Sequence, residues 1–282
     1  MRVLNCQKSP ADFWRRLSSS SERFLFLDYD GTIAPFDPDP SRAMADPGIL
    51  ARLQRLIDQT NTRVVIVTGR RARSLRRMIP LTPVPEIWGT QGIERLRPDG
   101  DYEQLPIRGE QLRRIALAKA SLRAAQVRGW LEQKPGSLAV HWRGLPITEM
   151  RRDLETTLAA LSSEAGREGL RLVRFDGGVE LRVARYTKAT AVLGSLEDAA
   201  SDSTAAYLGD DEPDEDAFKV LRPQDMAILV RTELRKTAAD LWMNSLQEVN
   251  DFLDAWFAAC TEGAGNGPAV RPQRRAMDRF RS

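Results

Sequence analysis

The feature that most constrains this chain is an apolar stretch, residues 24–27, that leads directly into two acidic residues. Asp28 and Asp30 follow Phe-Leu-Phe-Leu, and Gly31 and Thr32 come next. A continuous apolar run of this kind is typical of a buried strand in a parallel sheet. Open α/β sheets bind ligands at the carboxyl ends of their strands. Two carboxylates there indicate a cation or a reaction, and an aspartate can be a covalent nucleophile toward phosphorus.

A second acidic cluster follows another apolar stretch, residues 205–208. Six of the seven residues from 210 to 216 are acidic, and they would repel one another strongly without compensation. A solvated turn capping a helix explains Asp214 and the acids after it, and an Asx turn alone would explain the first pair. The solvated turn does not explain Asp210 and Asp211 at the strand end. A divalent cation between the two strand ends explains both clusters, because hard cations take oxygen ligands.

Alternating strand and helix patterns predict an α/β fold with a Rossmann-like parallel-sheet core. The predicted core strands are 23–28, 63–67, 86–89, 205–209 and 226–230. The predicted core helices are 46–59, 72–78, 187–197 and 246–256. Asp46 is the expected cap of the first of these helices, and Pro47 suits its first turn.

A segment of different pattern lies within this core. Its predicted elements are helices over 110–128 and 148–164, a strand over 138–142 and a hairpin over 170–183. Such a pattern predicts a smaller α/β cap, or lid, inserted into the core. The expected division is a discontinuous core of residues 1–106 and 183–261, a lid of residues 107–182 and a tail of residues 262–282.

The charge balance argues against a nucleic-acid partner. Residues 263–282 carry five arginines and one aspartate, a net charge of +4, whereas the formal total is +3, so residues 1–262 carry −1. The basic pI is therefore a property of the tail, which we expect to be disordered because it is rich in Gly, Pro and Arg. A short nucleic-acid or membrane contact by this tail would add to an enzymatic role rather than replace it.

The chain shows no sign of a membrane segment or a disulfide framework. No apolar run approaches the roughly 20 residues that span a bilayer, and the first residues lack the apolar core of a signal peptide. Cys6 and Cys260 are its two cysteines. They favour free thiols in a cytoplasmic protein without a membrane partner. The sequence does not define an oligomeric state.

Several stretches resemble the haloacid dehalogenase superfamily and, within it, the trehalose-6-phosphate phosphatases. They lie at 27–36, 65–70, 90–96, 131–143, 179–182, 187–192 and 207–218. The resemblance implies a cap domain between the second and third core motifs. It also implies Mg²⁺-dependent hydrolysis of trehalose 6-phosphate, a small sugar phosphate, to trehalose and phosphate in trehalose biosynthesis.

The resemblance assigns roles to the acids at the two strand ends. Asp28 is the expected nucleophile, which forms an aspartyl-phosphate, and Asp30 is the expected general acid and base. The expected Mg²⁺ ligands are the Asp28 and Asp210 carboxylates and the Asp30 backbone carbonyl. Asp211 is a further candidate ligand, and Asp214 is expected behind the ligands, where it would position water or a lysine.

Other core residues are expected around the phosphate. Thr68 follows a buried strand, and its hydroxyl would hold a phosphate oxygen, although Thr-Gly at a strand end is often an ordinary turn. Lys188 lies in the first turn of a helix, where the dipole disfavours a cation, and this placement favours an anionic partner over a solvated side chain. The surrounding loops would contribute Gly31, Thr32, Gly69 and Arg70.

The lid would select the sugar. Glu132 and Lys134 are predicted on a loop-like stretch, His141 and Arg143 on one face of the following strand, and Glu180 in the hairpin. Each of these side chains could instead form a surface charge or a salt bridge, and His141 a satisfied polar contact. The resemblance favours Glu132, Lys134 and Glu180 as sugar ligands, with His141 and Arg143 beside them. Trp142 would face the opposite way, into the core of the lid.

Two other functions remain open on the sequence alone. A related lidded phosphatase for another glycosyl phosphate, such as glucosyl-3-phosphoglycerate, differs only in the lid. A non-catalytic regulatory protein can retain the fold, since fold alone does not imply activity. That alternative predicts damage at the motif residues, yet Asp28, Asp30, Lys188 and Asp210 are all present.

Overall fold

The computed structural model describes residues 1–35, 37, 42–142, 144–175 and 177–261. The predicted disordered tail and Arg143 lie outside these residues. Both cysteines lie within them and are free thiols. No helix in the described part of the chain is long and apolar enough to cross a membrane.

The described residues form thirteen strands and eight α-helices. The strands are β1 (Arg2–Val3), β2 (Arg23–Leu27), β3 (Thr62–Val67), β4 (Glu86–Gly89), β5 (Glu94–Leu96), β6 (Tyr102–Gln104), β7 (Trp130–Lys134), β8 (Ser137–His141), β9 (Leu170–Phe175), β10 (Gly178–Val183), β11 (Thr204–Gly209), β12 (Met226–Val230) and β13 (Leu241–Met243). The helices are α1 (Pro10–Ser19), α2 (Pro47–Gln59), α3 (Ala72–Arg76), α4 (Gly109–Ala124), α5 (Ile147–Ser162), α6 (Lys188–Leu196), α7 (Asp214–Phe218) and α8 (Leu246–Thr261).

The larger sheet has the order β1-β13-β12-β11-β2-β3-β4-β5-β6. The strands from β13 to β4 are parallel, and β1, β5 and β6 pair antiparallel at the two edges. The chain proceeds outward from β2 through β3 and β4, and later outward in the other direction from β11. The strand order therefore reverses between β2 and β11, which is where open α/β sheets bind their ligands.

Strand β2 shows how the sheet is held between two layers of helices. All five of its residues are buried, as expected for a central parallel strand. Leu25 and Leu27 pack in the cluster that contains residues of α1, α2 and α8. Phe24 and Phe26 pack on the opposite face, against residues of α6 and α7. The alternation fixes the register of β2, because a shift by one residue would exchange the two sets of side chains.

The second sheet is smaller and antiparallel, with the order β7-β8-β10-β9. One face packs its apolar side chains against α4 and α5; Val179 and Leu181 of β10 and Leu161 of α5 belong to this cluster. Because side chains alternate along a strand, Glu180 and Arg182 lie on the other face. Trp142 is buried in the apolar cluster, as predicted. The fold is thus the predicted α/β core with an inserted α/β cap.

Most predicted elements are confirmed with shifts of a few residues at their ends. Asp46 caps α2 as expected, accepting a hydrogen bond from the Ile49 amide at 3.0 Å. One assignment is wrong: Glu132 and Lys134 lie on strand β7 rather than on a loop. The short strands β1, β5, β6 and β13 and the helix α1 were not anticipated. The strands among them are two or three residues long, which leaves little periodic pattern to read.

Candidate functional site

The two predicted acidic strand ends meet at the centre of the larger sheet. Asp28 follows β2 and Asp210 follows β11, and the two strands are parallel neighbours. The Asp28 amide donates a hydrogen bond to the Leu208 carbonyl at 2.9 Å, so the backbone ladder between the two strands includes Asp28, the residue that carries the carboxylate. Gly31 has a φ of +79°, and a Cβ at this position would collide with the Asp210 carboxylate. The Asp-Gly turn therefore allows the two acidic loops to approach closely.

Lys188 is the buried cation of this site. Thr187 caps α6, and the following side chain, that of Lys188, projects toward the strand ends. Its Nζ lies 2.8 Å from Asp28 Oδ1 and 2.7 Å from Asp214 Oδ1. Burial lowers the pKa of Lys188, but the two carboxylates outweigh this effect and raise it, so the amine stays charged. Of the two anionic partners predicted for this lysine, Asp28 and a phosphate, Asp28 is in contact with it.

Asp214 is fully buried, and both of its oxygens are engaged by the protein. Oδ1 accepts hydrogen bonds from Lys188 Nζ and from the Tyr207 hydroxyl at 2.8 Å. Oδ2 accepts from the amides of Asp210 at 3.2 Å and Asp211 at 3.1 Å. This geometry suits the predicted position behind the ligands, since the carboxylate holds both the lysine and the loop that carries the outer acids.

The cluster holds more negative charge than Lys188 neutralises. Asp28, Asp210 and Asp214 each place one oxygen within 4.8 Å of the others. Burial, followed by Asp214 and Asp30, raises the pKa of Asp28 from 3.8 to about 7 against the opposing effect of Lys188. Burial and the Asp28 charge raise the pKa of Asp210 well above its usual value. Buried carboxylates that resist ionisation fit a divalent cation, which would supply the missing positive charge.

The other two predicted metal ligands occupy different surroundings. The Asp30 carboxylate is turned away and is bound by the Arg70 guanidinium in a two-pronged ion pair, with N–O distances of 2.7 and 2.6 Å. Such a fork fixes the orientation of the carboxylate as well as its position. Asp211 is partly exposed, and its carboxylate lies 3.9 Å from Arg231. Asp28 and Asp210 are therefore the two predicted ligands whose carboxylates lie together.

Two threonines lie beside the acidic cluster. Thr68 is buried at the end of β3, and its Oγ1 accepts a hydrogen bond from the Arg70 amide at 3.1 Å. The Thr32 Oγ1 is also buried and has no hydrogen-bond partner among the described residues.

The polar face of the lid sheet faces this cluster. Lys134 Nζ donates to the Gly69 carbonyl of the core at 3.0 Å and lies 3.3 Å from Glu132 and 3.6 Å from Glu180. His141 Nε2 lies 2.9 Å from Glu132 Oε2. Burial alone would raise the pKa of Glu132, but the hydrogen bond with His141 and the charge of Lys134 lower it to about 2. The Glu132 carboxylate is thus held ionised as a hydrogen-bond acceptor.

A cavity of about 290 Å³ joins the two groups of side chains. Its lining includes Asp28, Asp30, Lys188, Asp210 and Asp211 from the core and Glu132, Lys134, His141 and Glu180 from the lid. Gly69 and Arg70 also line it, whereas Gly31, Thr32 and Thr68 are not among its lining residues. The structure thus brings together most of the residues predicted from sequence, from elements far apart in the chain. Their catalytic and binding roles stay predictions.

Gln91, Trp130 and Phe175 are among the lining residues that sequence reasoning did not assign to the site. Gln91 has a φ of 56°, an uncommon backbone conformation that places its side chain beside Gly69. The signal for Trp130 was the spacing of two residues between Trp130, Glu132 and Lys134, which is the period of a strand face. Treating this stretch as a loop hid that signal.

A sequence profile of the trehalose-phosphatase family matches residues 26–245. The chain belongs to the trehalose-phosphatase family. The matched region contains both acidic strand ends, Lys188 and the lid, so the described site lies entirely within the shared part of the chain.

Curated relatives and a solved structure agree with this assignment. A trehalose-phosphate phosphatase of Mycobacterium marinum is 34% identical over 242 residues, covering 81% of this chain and 60% of that protein. A bifunctional trehalose-6-phosphate synthase/phosphatase of Thermoproteus tenax is 32% identical over 221 residues, covering 78% of this chain and 29% of that protein. The chain therefore spans less than two thirds of the length of these relatives.

The structural comparison concerns the fold alone. The C-terminal domain of Candida albicans trehalose-6-phosphate phosphatase superposes with a TM-score of 0.74 at 18% identity, covering 91% of this chain and 99% of that domain. The agreement extends over nearly the whole of both chains, so it includes the inserted cap as well as the parallel-sheet core.

Proposed function

We propose that this protein is a Mg²⁺-dependent phosphatase that hydrolyses trehalose 6-phosphate to trehalose and phosphate. The observation that carries the proposal is one shared cavity in which Asp28 and Lys188 face the lid residues Glu132, Lys134 and Glu180. A carboxylate nucleophile held by a buried lysine suits phosphoryl transfer, and hydrogen-bonding lid side chains suit the hydroxyl groups of a sugar. Membership of the trehalose-phosphatase family supports both the phosphoryl-transfer chemistry and the sugar-phosphate substrate.

The first step forms a bond between Asp28 and phosphorus. An Asp28 oxygen attacks the phosphoryl group, the bond from phosphorus to the sugar oxygen breaks, and Asp30 gives its proton to that oxygen. Lys188 holds Asp28 and offsets charge on the phosphoryl oxygens, because its Nζ lies 2.8 Å from the nucleophile. Arg70 orients Asp30, and the pair weakens when Asp30 is protonated, since the neutral carboxyl no longer attracts the guanidinium.

The second step releases phosphate. Asp30, now ionised, takes a proton from water, the water oxygen attacks phosphorus, and the bond to Asp28 breaks. Mg²⁺, held by Asp28 and Asp210 with the Asp30 backbone carbonyl, would neutralise phosphoryl charge when bound. Asp214 keeps Lys188 and the Asp210 loop in place, and Asp211 would bind water near the metal.

We further propose that residues 107–182 form the moving lid on a core of residues 1–106 and 183–261. The contacts that join them in this structure include the hydrogen bond from Lys134 to the Gly69 carbonyl and the pairing of Arg171 with Asp216 at 3.0 Å. A lid of this kind admits the substrate and then limits the access of water to the phosphoryl group. Hinges would lie near residues 105–109 and 182–186.

The test is phosphate release from trehalose 6-phosphate, with glucosyl-3-phosphoglycerate and glucose 6-phosphate in parallel. The wild type should prefer the trehalose ester, lose activity in EDTA and regain it with Mg²⁺, and Asp28→Asn should be inactive. Preference for another ester would retain the chemistry but reject the substrate. A folded wild type that turns over none of the esters would favour the regulatory alternative.

A further inference from the structure

An aromatic cluster lines the cavity beside the sugar-binding candidates. The Trp130 indole stacks on the His141 imidazole, with ring centroids 4.8 Å apart and an interplanar angle of 30°. The Phe175 ring also contacts the imidazole, with ring centroids 5.1 Å apart and an interplanar angle of 58°. All three residues line the cavity, yet Trp130 is 55% exposed. One large aromatic surface is therefore held in a defined orientation without being buried by the protein itself.

The position of Trp130 follows from the strand that carries it. Trp130, Glu132 and Lys134 share one face of β7 at intervals of two residues. Lys134 marks the inner end, because its Nζ contacts the Gly69 carbonyl of the core. Four residues of antiparallel strand extend roughly 14 Å, so Trp130 lies at the outer end, beyond Glu132. The cavity thus runs from the acidic cluster, past hydrogen-bonding side chains, to an aromatic face.

This arrangement matches the two ends of a phosphorylated disaccharide. The phosphorylated ring must lie near Asp28, where its hydroxyl groups meet the polar lid side chains. The second ring then extends outward along β7. A hexose has an apolar face of C–H groups, and a rigid aromatic side chain offers it contact area at a small cost in conformational entropy. An exposed indole beside a polar cavity is typical of a binding surface.

We propose that Trp130, supported by His141 and Phe175, is the stacking surface for the terminal, unphosphorylated hexose ring of a disaccharide phosphate. This inference rests on the proposed function and identifies the residue that distinguishes disaccharide from monosaccharide phosphates. Glu132 connects the two subsites, because it hydrogen-bonds His141 beneath the indole at 2.9 Å and pairs with Lys134 on the inner side.

The test compares trehalose 6-phosphate with glucose 6-phosphate, which lacks the second ring. We expect Trp130→Ala to lower the ratio of the two kcat/KM values about tenfold, the scale of losing one well-placed aromatic contact. The change should lie mainly in KM, because the distal ring is far from the reacting bond and binds equally in ground and transition states. Trp130→Phe, which keeps an aromatic face, should restore part of the ratio.

Ile147→Ala is the matched control. Ile147 is another exposed apolar side chain of the lid, 62% exposed, and it is not among the residues that line the cavity. Its substitution should leave the ratio unchanged, and thermal melting should show that all variants are folded. Free trehalose should also inhibit Trp130→Ala more weakly than it inhibits the wild type.

The two proposals fail in different ways. If the wild type does not hydrolyse trehalose 6-phosphate, the proposed function is wrong. If the wild type hydrolyses it and Trp130→Ala leaves the ratio unchanged, or lowers both kcat/KM values equally, only the stacking role is overturned. A decrease of kcat/KM for the disaccharide ester alone in Trp130→Ala, partly restored in Trp130→Phe, supports the stacking role.

Discussion

Replacing Asp28 with asparagine should stabilise the metal-free protein at alkaline pH while abolishing its activity. Asp28 is 5% exposed and lies within 4.8 Å of two further carboxylates, with Lys188 as the buried cation that contacts it. Ionised Asp28 is therefore costly in the folded state. Asparagine has nearly the same shape and no charge, so it removes this cost and leaves the ion pair between Lys188 and Asp214 intact.

The magnitude follows from the pKa of Asp28, which rises from 3.8 to about 7 on folding. Between these values the folded protein binds more protons than the unfolded chain, so stability decreases as the pH rises through this range. A difference of about three pKa units, at about 1.4 kcal/mol each, corresponds to about 4 kcal/mol. Asp28→Asn should gain this amount at pH 8 and less than about 1 kcal/mol at pH 4.

The assay is urea unfolding in EDTA at pH 4 and pH 8, comparing free energies of unfolding. Asp214→Asn is the matched control, because the same change in the same cluster should have the opposite sign. The Asp214 oxygens accept hydrogen bonds from Lys188, Tyr207 and two amides. Removing its charge should destabilise the protein by about 3 kcal/mol, the usual cost of breaking a buried pair.

The reasoning would be refuted if Asp28→Asn lost stability at pH 8 in EDTA, as Asp214→Asn should. That result would mean that the attraction of Lys188 for Asp28 exceeds the cost of burial and of repulsion by the other acids. Added Mg²⁺ provides a second check, since a ligand of the folded state stabilises by mass action. It should raise the unfolding midpoint of the wild type more than that of Asp28→Asn.

Three further predictions concern single side chains. Arg70→Lys keeps the charge but loses the fork that orients Asp30, so kcat for trehalose 6-phosphate should fall about tenfold or more; an unchanged kcat would show that the fork is dispensable. Glu132→Gln should lower the free energy of unfolding by about 2 kcal/mol at pH 7, since the pKa of Glu132 drops from 4.5 to about 2 against the effect of burial, mainly through His141. In urea unfolding this difference should shrink as the pH falls from 4.5 toward 2, and a constant difference would contradict the assignment. Tyr207→Phe removes a buried hydroxyl that donates to a carboxylate at 2.8 Å and should cost about 2 kcal/mol in the same assay; a neutral effect would show that the hydrogen bond contributes little.

Local sequence was sufficient to predict the central strands and the acids that follow them. Strand β2 is a continuous apolar run, and Asp28 comes directly after it in the chain. A residue that follows a strand in the sequence lies at the carboxyl end of that strand, so this placement of Asp28 needs no tertiary information. The same argument applies to β11 and Asp210. Since parallel strands end at one edge of the sheet, both acids could be assigned to that edge from sequence, and the pairing of β2 with β11 brings them together.

Elsewhere the local pattern was too short or was interpreted wrongly. Strand β7 lies beside a polar cavity and carries Glu132 and Lys134, so its sequence looked like a loop although it forms a regular ladder with β8. Strand propensity depends on what each face contacts, and that information is tertiary. The same error concealed Trp130.

The sequence by itself determined which chemical groups this protein possesses and, through strand direction, that Asp28 and Asp210 share one edge of the sheet. Only the tertiary structure decided that Arg70 binds Asp30, that Asp214 uses both oxygens to hold Lys188 and the Asp210 loop, and that β7 aligns its polar face with the acids. The physical reason is that the direction of a strand, and hence the residue that follows its carboxyl end, is a local property of the chain. Ion-pair partners and cavity walls depend instead on how separate elements pack.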